Sequence, residues 1–398
     1  MILEFVEVHN FRNLRGKLFC GSGINIIYGD NGQGKTNWLE AIHTLGRTKS
    51  FRTQHLHESI RFGAEFATIR GRVAHGTDIH RELEIALNGK TKSISINGKR
   101  EPLTHYLAEL YVVALTADEL EVVRGMSDAR RRFIDRGAAS LQPSYAQTLS
   151  DYNKVIKQKN RILHEASERE LSLAETDDLV APWNSQLVGL GDKIHRSRLD
   201  YVERLNRVLE RGVFGQEEIF LRYVSSLEGK GDLNDYEALI SERLRLRLPA
   251  EIAAGRSLVG PHRDELSILF DGREMRVYGS AGQQRSALLL LDLAAISLYN
   301  TTHDDYPLFL IDDVDAELDE KRINSLLEYL EDRTQTFVTT SKWSHVRRSI
   351  SGAKLFNIEN GAVVTSGSET QIIPARRQPK WRDQETIKTG KVINRNDI

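Results

Sequence analysis

Gly29-Asp30-Asn31-Gly32-Gln33-Gly34-Lys35-Thr36 reads G-x-x-x-x-G-K-T. An apolar run, Ile24-Asn25-Ile26-Ile27-Tyr28, precedes it, and apolar residues follow at 38, 39, 42 and 45. That second spacing is one helical face. Strand, glycine-rich loop and helix in this order is the context of a phosphate-cradling loop. Glycines let backbone N–H groups turn inward around an anion. The helix N-terminus adds partial positive charge. Gly29 through Thr36, with Asn37, are therefore expected to bind a nucleotide. Lys35 is expected to reach its β- and γ-phosphates, and the Thr36 hydroxyl to sit on Mg²⁺. A chance turn is the competing reading, and the flanking elements disfavour it.

The chain has 398 residues, 40 % hydrophobic and 28 % charged, with a net charge of −1. That length predicts two or three domain-sized units. A near-neutral balance excludes a globally basic nucleic-acid binder, so any DNA site must be a local patch. No apolar stretch approaches the roughly 18 residues of a membrane span. Met1-Ile2-Leu3-Glu4-Phe5 alternates like a strand and lacks the form of a signal peptide. A single cysteine, Cys20, fits a reducing cytoplasm.

Ile2 to Val8 reads as a strand, and His9 to Leu14 as a polar turn carrying Arg12. That arginine either approaches the nucleotide or packs on the surface. Phe66 to Lys99 reads as strands with turns, Asn88-Gly89 and Asn97-Gly98 being hairpin signals. Leu110 to Leu115 is a buried-strand candidate. Between Asp128 and Leu248 the pattern turns helical and charged, suggesting two long helices as a hairpin, with Pro182 opening the second. Ser257 to Phe270 returns to strand patterning. Asn360-Gly361 marks a closing hairpin. The expected division is 1–115 and 252–365 as the two halves of an ATPase lobe, 116–251 as a helical arm lobe, and 366–398 as a basic, disordered tail.

Two stretches narrow the phosphate site. Leu308-Phe309-Leu310-Ile311 is a buried strand delivering Asp312 and Asp313 at its carboxyl end, where ligands sit in open α/β sheets. Asp312 is placed on the metal, directly or through water. Asp313 is the catalytic candidate that orients attacking water. Gly279-Ser280-Ala281-Gly282-Gln283-Gln284-Arg285 opens a long buried helix. It resembles the ABC signature, in which Ser280, Gly282 and Gln283 aim donors at a γ-phosphate. Alone, the stretch also reads as a plain helix N-cap. The fold class is therefore α/β, an ABC-type P-loop ATPase head of mixed sheet and helices with a mostly helical second lobe. With one P-loop and one signature, the ABC resemblance implies that two copies sandwich two ATP molecules. Ala316-Glu317-Leu318-Asp319 looks like the loop that crosses such an interface.

Together these residues resemble the RecF family over about residues 1–365. Asn10 to Leu14, Asp30 to Asn37, Arg124 to Asp135, Leu258 to Leu266, Ser280 to Arg285 and Asp312 to Asp319 carry the likeness. Ala117-Asp118-Glu119 stands where the family usually has Pro-Glu-Asp, and Thr340 or Ser341, not histidine, stands at the expected switch position after the Thr336–Thr340 strand. The resemblance implies an ATP- and Mg²⁺-dependent DNA-binding clamp with weak ATPase activity. It implies action at gaps and single-/double-strand junctions in recombinational repair. It also implies work with RecR and RecO to load RecA. DNA candidates are Arg130, Arg131, Arg132, Lys154, Lys157 and Arg161, with Lys159, Arg243, Arg245 and Arg247 behind them; each also reads as part of a solvated helix face. A small-molecule kinase has no use for Ser280 to Gln283. A chromosome-organising head needs an arm far longer than residues 128 to 248.

Overall fold

The computed structural model describes residues 1–76, 78–212, 218–317, 320–331, 333–342 and 352–364. The tail from 366 and Leu318-Asp319 lie outside the described residues.

A six-stranded sheet runs in the order 362–364, 354–359, 24–28, 336–340, 308–311, 112–115. It is parallel except for the antiparallel edge strand Ala362–Val364. Val112–Leu115, Leu308–Ile311 and Thr336–Thr340 are buried at every residue. Parallel strands covered on both faces carry such unbroken runs. Alternate residues serve opposite layers. Val112, Ala114, Leu308 and Leu310 join one core; Val113, Leu115, Phe309 and Ile311 join the other.

The first core lies under the helix Lys35–Arg47, whose Trp38, Leu39, Ile42 and Leu45 are all buried, as their spacing predicts. A second six-stranded sheet, entirely antiparallel, covers that helix from the other side. Its strands alternate buried and exposed, as in Phe66–His75. Asn97 and Gly98 both take positive φ, 51° and 75°, the primed turn their sequence announces.

The second core runs from the other face of the parallel sheet through the helix Ala281–His303 into the arm. The arm is a hairpin of Ser144–Glu168 and Leu173–Glu210. Its second helix starts nine residues before Pro182, which is internal. Ser172 and Glu175 form a capping box that sets the start. Pro182 is tolerated because Asp178, whose carbonyl loses its donor, is exposed.

Ile219–Val224 is a strand inside the helical interval, and it pairs antiparallel with Glu265–Phe270. Arg273–Glu274 completes a three-stranded sheet. Pro261–Arg263, expected in strand, is a 3-10 turn. No helix among the described residues is long and apolar enough to cross a membrane.

Candidate nucleotide site

The loop after strand Ile24–Tyr28 is shaped by positive φ at Gly29 (148°), Gly32 (79°) and Gly34 (106°). A Cβ on Gly29 would stand 2.5 Å from the Ile358 carbonyl oxygen. The loop is clamped from outside by the Asn360-Gly361 turn. Asn360 N–H donates to Gln33 Oε1 at 2.7 Å and Gly361 N–H to Gln33 O at 2.8 Å. Gly361 in turn faces Asn13, whose carbonyl oxygen would lie 2.1 Å from any Cβ there. Asn37 Nδ2 donates to Asn13 Oδ1 at 2.7 Å. Loop, opening turn and closing hairpin thus interlock.

The N–H groups of Gly32 through Asn37 find no acceptor among the described residues. Gly34 caps the helix without a side-chain bond. A row of unused donors at a helix N-terminus fits an anion. Lys35 Nζ donates to Gly29 O at 2.8 Å and Asp30 O at 2.9 Å. Burial holds its pKa below the ordinary lysine value, against the pull of Asp313, Asp30, Asp312 and Asp315. Its positive charge therefore sits where acids converge.

Thr36 Oγ1 donates to Asp312 Oδ1 at 2.9 Å, and Thr339 Oγ1 donates to the same oxygen at 2.7 Å. Burial raises the Asp312 pKa, and these two bonds oppose the rise. The next residue, Asp313, is exposed and takes φ 49°. Among the described residues its carboxylate receives no hydrogen bond, and neither does Asp312 Oδ2. A hydroxyl beside a carboxylate with one free oxygen suits a hard divalent cation, which takes oxygen ligands and keeps waters. The donor set therefore fits a magnesium-bound polyphosphate.

Arg12 packs against the helix that follows the loop. Its guanidinium pairs with Glu40 through Nε at 3.0 Å and Nη2 at 2.7 Å, and Glu40 is wholly buried. Arg52, read from sequence only as part of a basic loop, donates to Asn37 Oδ1 at 2.6 Å, and its charge is felt at Asp312. No spacing rule connects position 52 to the loop.

Ser280 caps the helix Ala281–His303 through a capping box with Gln283. Ser280, Gly282 and Gln283 are exposed, and the bonds of Ser280 and Gln283 stay within this turn. The N-cap reading is realised, and the capping turn is exposed. Val277 and Tyr278 beside it are 62 % and 69 % exposed.

The stretches Arg124 to Asp135 and Leu258 to Leu266, which carry the family likeness, pack on each other. Arg130 reaches Glu265 at 2.7 and 2.9 Å and the Gly125 carbonyl at 2.8 Å. It is 2 % exposed. Its place among the DNA candidates is corrected: no phosphate can reach a guanidinium so enclosed. Lys159 is likewise buried, paired to Glu251 at 2.6 Å. Arg131 is partly buried against Asp128 and the Asp264 carbonyl. Arg132 and Lys157 are exposed, as are Lys154, beside Asp151, and Arg161, beside Glu165.

A family model described as the RecF/RecN/SMC N terminal domain matches residues 2–363. The DNA replication and repair protein RecF of Staphylococcus epidermidis is 36 % identical over 382 residues, spanning 92 % of this chain and all of the relative. RecF of Staphylococcus aureus is 34 % identical over 377 residues, again spanning 92 % of this chain and all of the relative. A solved structure of the recombination mediator protein RecF with ATP, of the RecFOR pathway, superposes with a TM-score of 0.83 at 29 % identity, over 91 % of this chain and 97 % of that one. An SMC head solved with the C-winged helix domain of ScpA shares the fold alone, at 14 % identity and a TM-score of 0.52 over 91 % of this chain and 96 % of that one. The match runs through both lobes and beyond the phosphate loop, and the chain belongs to the RecF family.

Proposed function

We propose that this protein is an ATP-switched DNA clamp of replication and recombinational repair. The observation that carries the reading is the convergence of Lys35, Thr36, Asp312 and Asp313 at the carboxyl edge of one parallel sheet. Segments some 276 residues apart meet there. The unused N–H groups from Gly32 to Asn37 hold the phosphates, and Lys35 exchanges its loop carbonyls for the β- and γ-oxygens. Thr36 and Asp312 would hold Mg²⁺, which would supply positive charge to the phosphate oxygens as negative charge builds on the leaving group. Asp313 orients water; its side chain is one methylene shorter than the glutamate usual in ABC enzymes, which favours slow turnover.

The exposed Ser280–Gln283 turn supports the second half of the reading. It meets the phosphate loop of a second copy, so that ATP joins two protomers. The dimer binds DNA at gaps and junctions through Arg132 and Lys157, with Arg131, Lys154 and Arg161 beside them. In the cytoplasm it works with RecR and RecO to load RecA. Support for the repair role is the likeness to RecF relatives across nearly the whole chain.

The test measures binding to gapped and blunt duplexes with ATP, ADP or no nucleotide, wild type beside Lys35→Ala. Light scattering at micromolar protein runs in parallel. An ATP-dependent dimer that binds DNA, lost in Lys35→Ala, is the expected result. A monomer under every condition refutes the clamp.

A further inference from the structure

The strand Thr336–Thr340 lies between Ile24–Tyr28 and Leu308–Ile311, buried throughout. Phe337 and Val338 fill its central positions with apolar side chains. Thr339 is a hydroxyl residue there, only 1 % exposed. A buried hydroxyl must find partners or destabilise the fold. Thr339 finds two, and both belong to the acid pair. Its Oγ1 donates to Asp312 Oδ1 at 2.7 Å and accepts the Asp313 N–H at 2.7 Å. One oxygen thus ties the side chain of the first acid to the main chain of the second.

Each bond constrains something that packing does not. Asp312 Oδ1 is occupied by Thr339 and Thr36, so Oδ2 is the oxygen left open. Asp313 stands in the left-handed region at φ 49°, which non-glycine residues adopt at a cost. The bond on its N–H holds it there, and that backbone sets where its carboxylate points. Thr36 donates its proton to Asp312 and keeps lone pairs for a cation, so it cannot replace Thr339 on Asp313. A valine in this place would keep the shape and the strand propensity and would make neither bond.

We propose that Thr339 is the positioning residue of the acid pair. It leaves one oxygen of Asp312 free for a divalent cation and aims Asp313 at the attacking water. The proposal rests on the reading of the chain as a Mg²⁺-ATP switch.

The experiment uses the full chain with Thr339→Val, Thr339→Ser and Thr339→Ala. Fluorescent ATP is titrated with and without MgCl₂, phosphate release is followed with time, and a thermal melt reports folding. In Thr339→Val the Mg²⁺-free affinity is expected to stay at the wild-type level. The gain in affinity on adding Mg²⁺ is expected to shrink, and turnover to fall about tenfold, which is ~1.4 kcal/mol in the barrier. Thr339→Ser, which keeps the hydroxyl, is expected to restore both. Wild-type turnover and magnesium response in Thr339→Val would overturn the proposal and leave the nucleotide reading intact. A wild-type chain that ignores both ATP and Mg²⁺ overturns both together. Should Thr339→Val fail to fold, the Ser and Ala variants decide, since they differ by the hydroxyl alone: equal turnover overturns the proposal, and recovery in Ser supports it.

Discussion

Thr36 Oγ1 and Asp312 Oδ1 stand 2.9 Å apart across 276 residues of sequence. The hydroxyl of the phosphate loop is thereby pre-aimed at the acid of a distant strand. Replacing Thr36 by Ala removes that bond and, on the proposed reading, one cation ligand. Calorimetric titration of ATP should then show the Mg²⁺-dependent part of the affinity lost and the Mg²⁺-free part largely kept. Lys35→Ala should weaken binding with or without metal, by about 1.5–3 kcal/mol, the scale of a hydrogen bond to a charged group.

Asp313 offers a free, exposed carboxylate. Asp313→Asn keeps its size and φ and removes its basicity. Turnover should fall by about 10²–10⁴, the usual share of a general base. If the clamp reading holds, the ATP-bound dimer should accumulate by light scattering. Unchanged phosphate release would remove Asp313 from the chemistry.

Burial separates the arginines of the helix Ser127–Leu141. Arg132→Ala or Lys157→Ala should reduce the slope of log affinity against log salt by about 0.9 for each phosphate no longer neutralised, with the melting curve unchanged. Arg130→Ala should do the reverse. It strands Glu265 and should cost about 1.5–3 kcal/mol in urea unfolding. A binding defect without a stability defect at Arg130 would contradict its enclosure.

Acid should weaken the fold before carboxylates in general protonate. Burial pushes His43 from 6.5 down to about 3 and His262 from 6.5 down to about 4. The His43 ring bonds Lys49 O at 2.9 Å through Nδ1, and among the described residues its buried Nε2 finds no partner. Between pH 6.5 and about 4 the unfolded chain takes up protons that the folded chain refuses. Stability is present above 6.5 and declines as pH falls through that window. Glu265 extends the loss. Burial alone would raise it, but bonds from Arg130 and Ser127 hold it at about 2 against 4.5, so its contribution disappears below pH 4.5. Urea midpoints at about pH 7, 5.5 and 4.5 measure the decline. His43→Asn, which keeps a donor for Lys49, should flatten it.

Local features are the ones legible in the sequence. Gly29 to Thr36, the buried strand before Asp312 and the Asn97-Gly98 turn each need only a few neighbouring residues to define them. Ser172-x-x-Glu175 is equally local, but Pro182 competes with it as a start signal, and only the exposure of Asp178 shows why the proline is tolerated. What stays hidden is set by partners far away. Arg130 looks like any surface arginine until Glu265, 135 residues on, closes over it. Thr339 looks like a β-former, and nothing in its neighbours announces the two acids it joins. Glu265–Phe270 reads correctly as a strand, yet spacing cannot reveal its pairing with Ile219–Val224.

The clamp of Asn360 and Gly361 on Gln33 spans 327 residues. Strand Ile24–Tyr28 likewise lies between Thr336–Thr340 and Lys354–Glu359. During translation the loop that meets phosphate emerges early, and both strands that flank its own emerge more than 300 residues later. A chain still on the ribosome therefore carries this loop without the strands and turn that brace it for most of its synthesis.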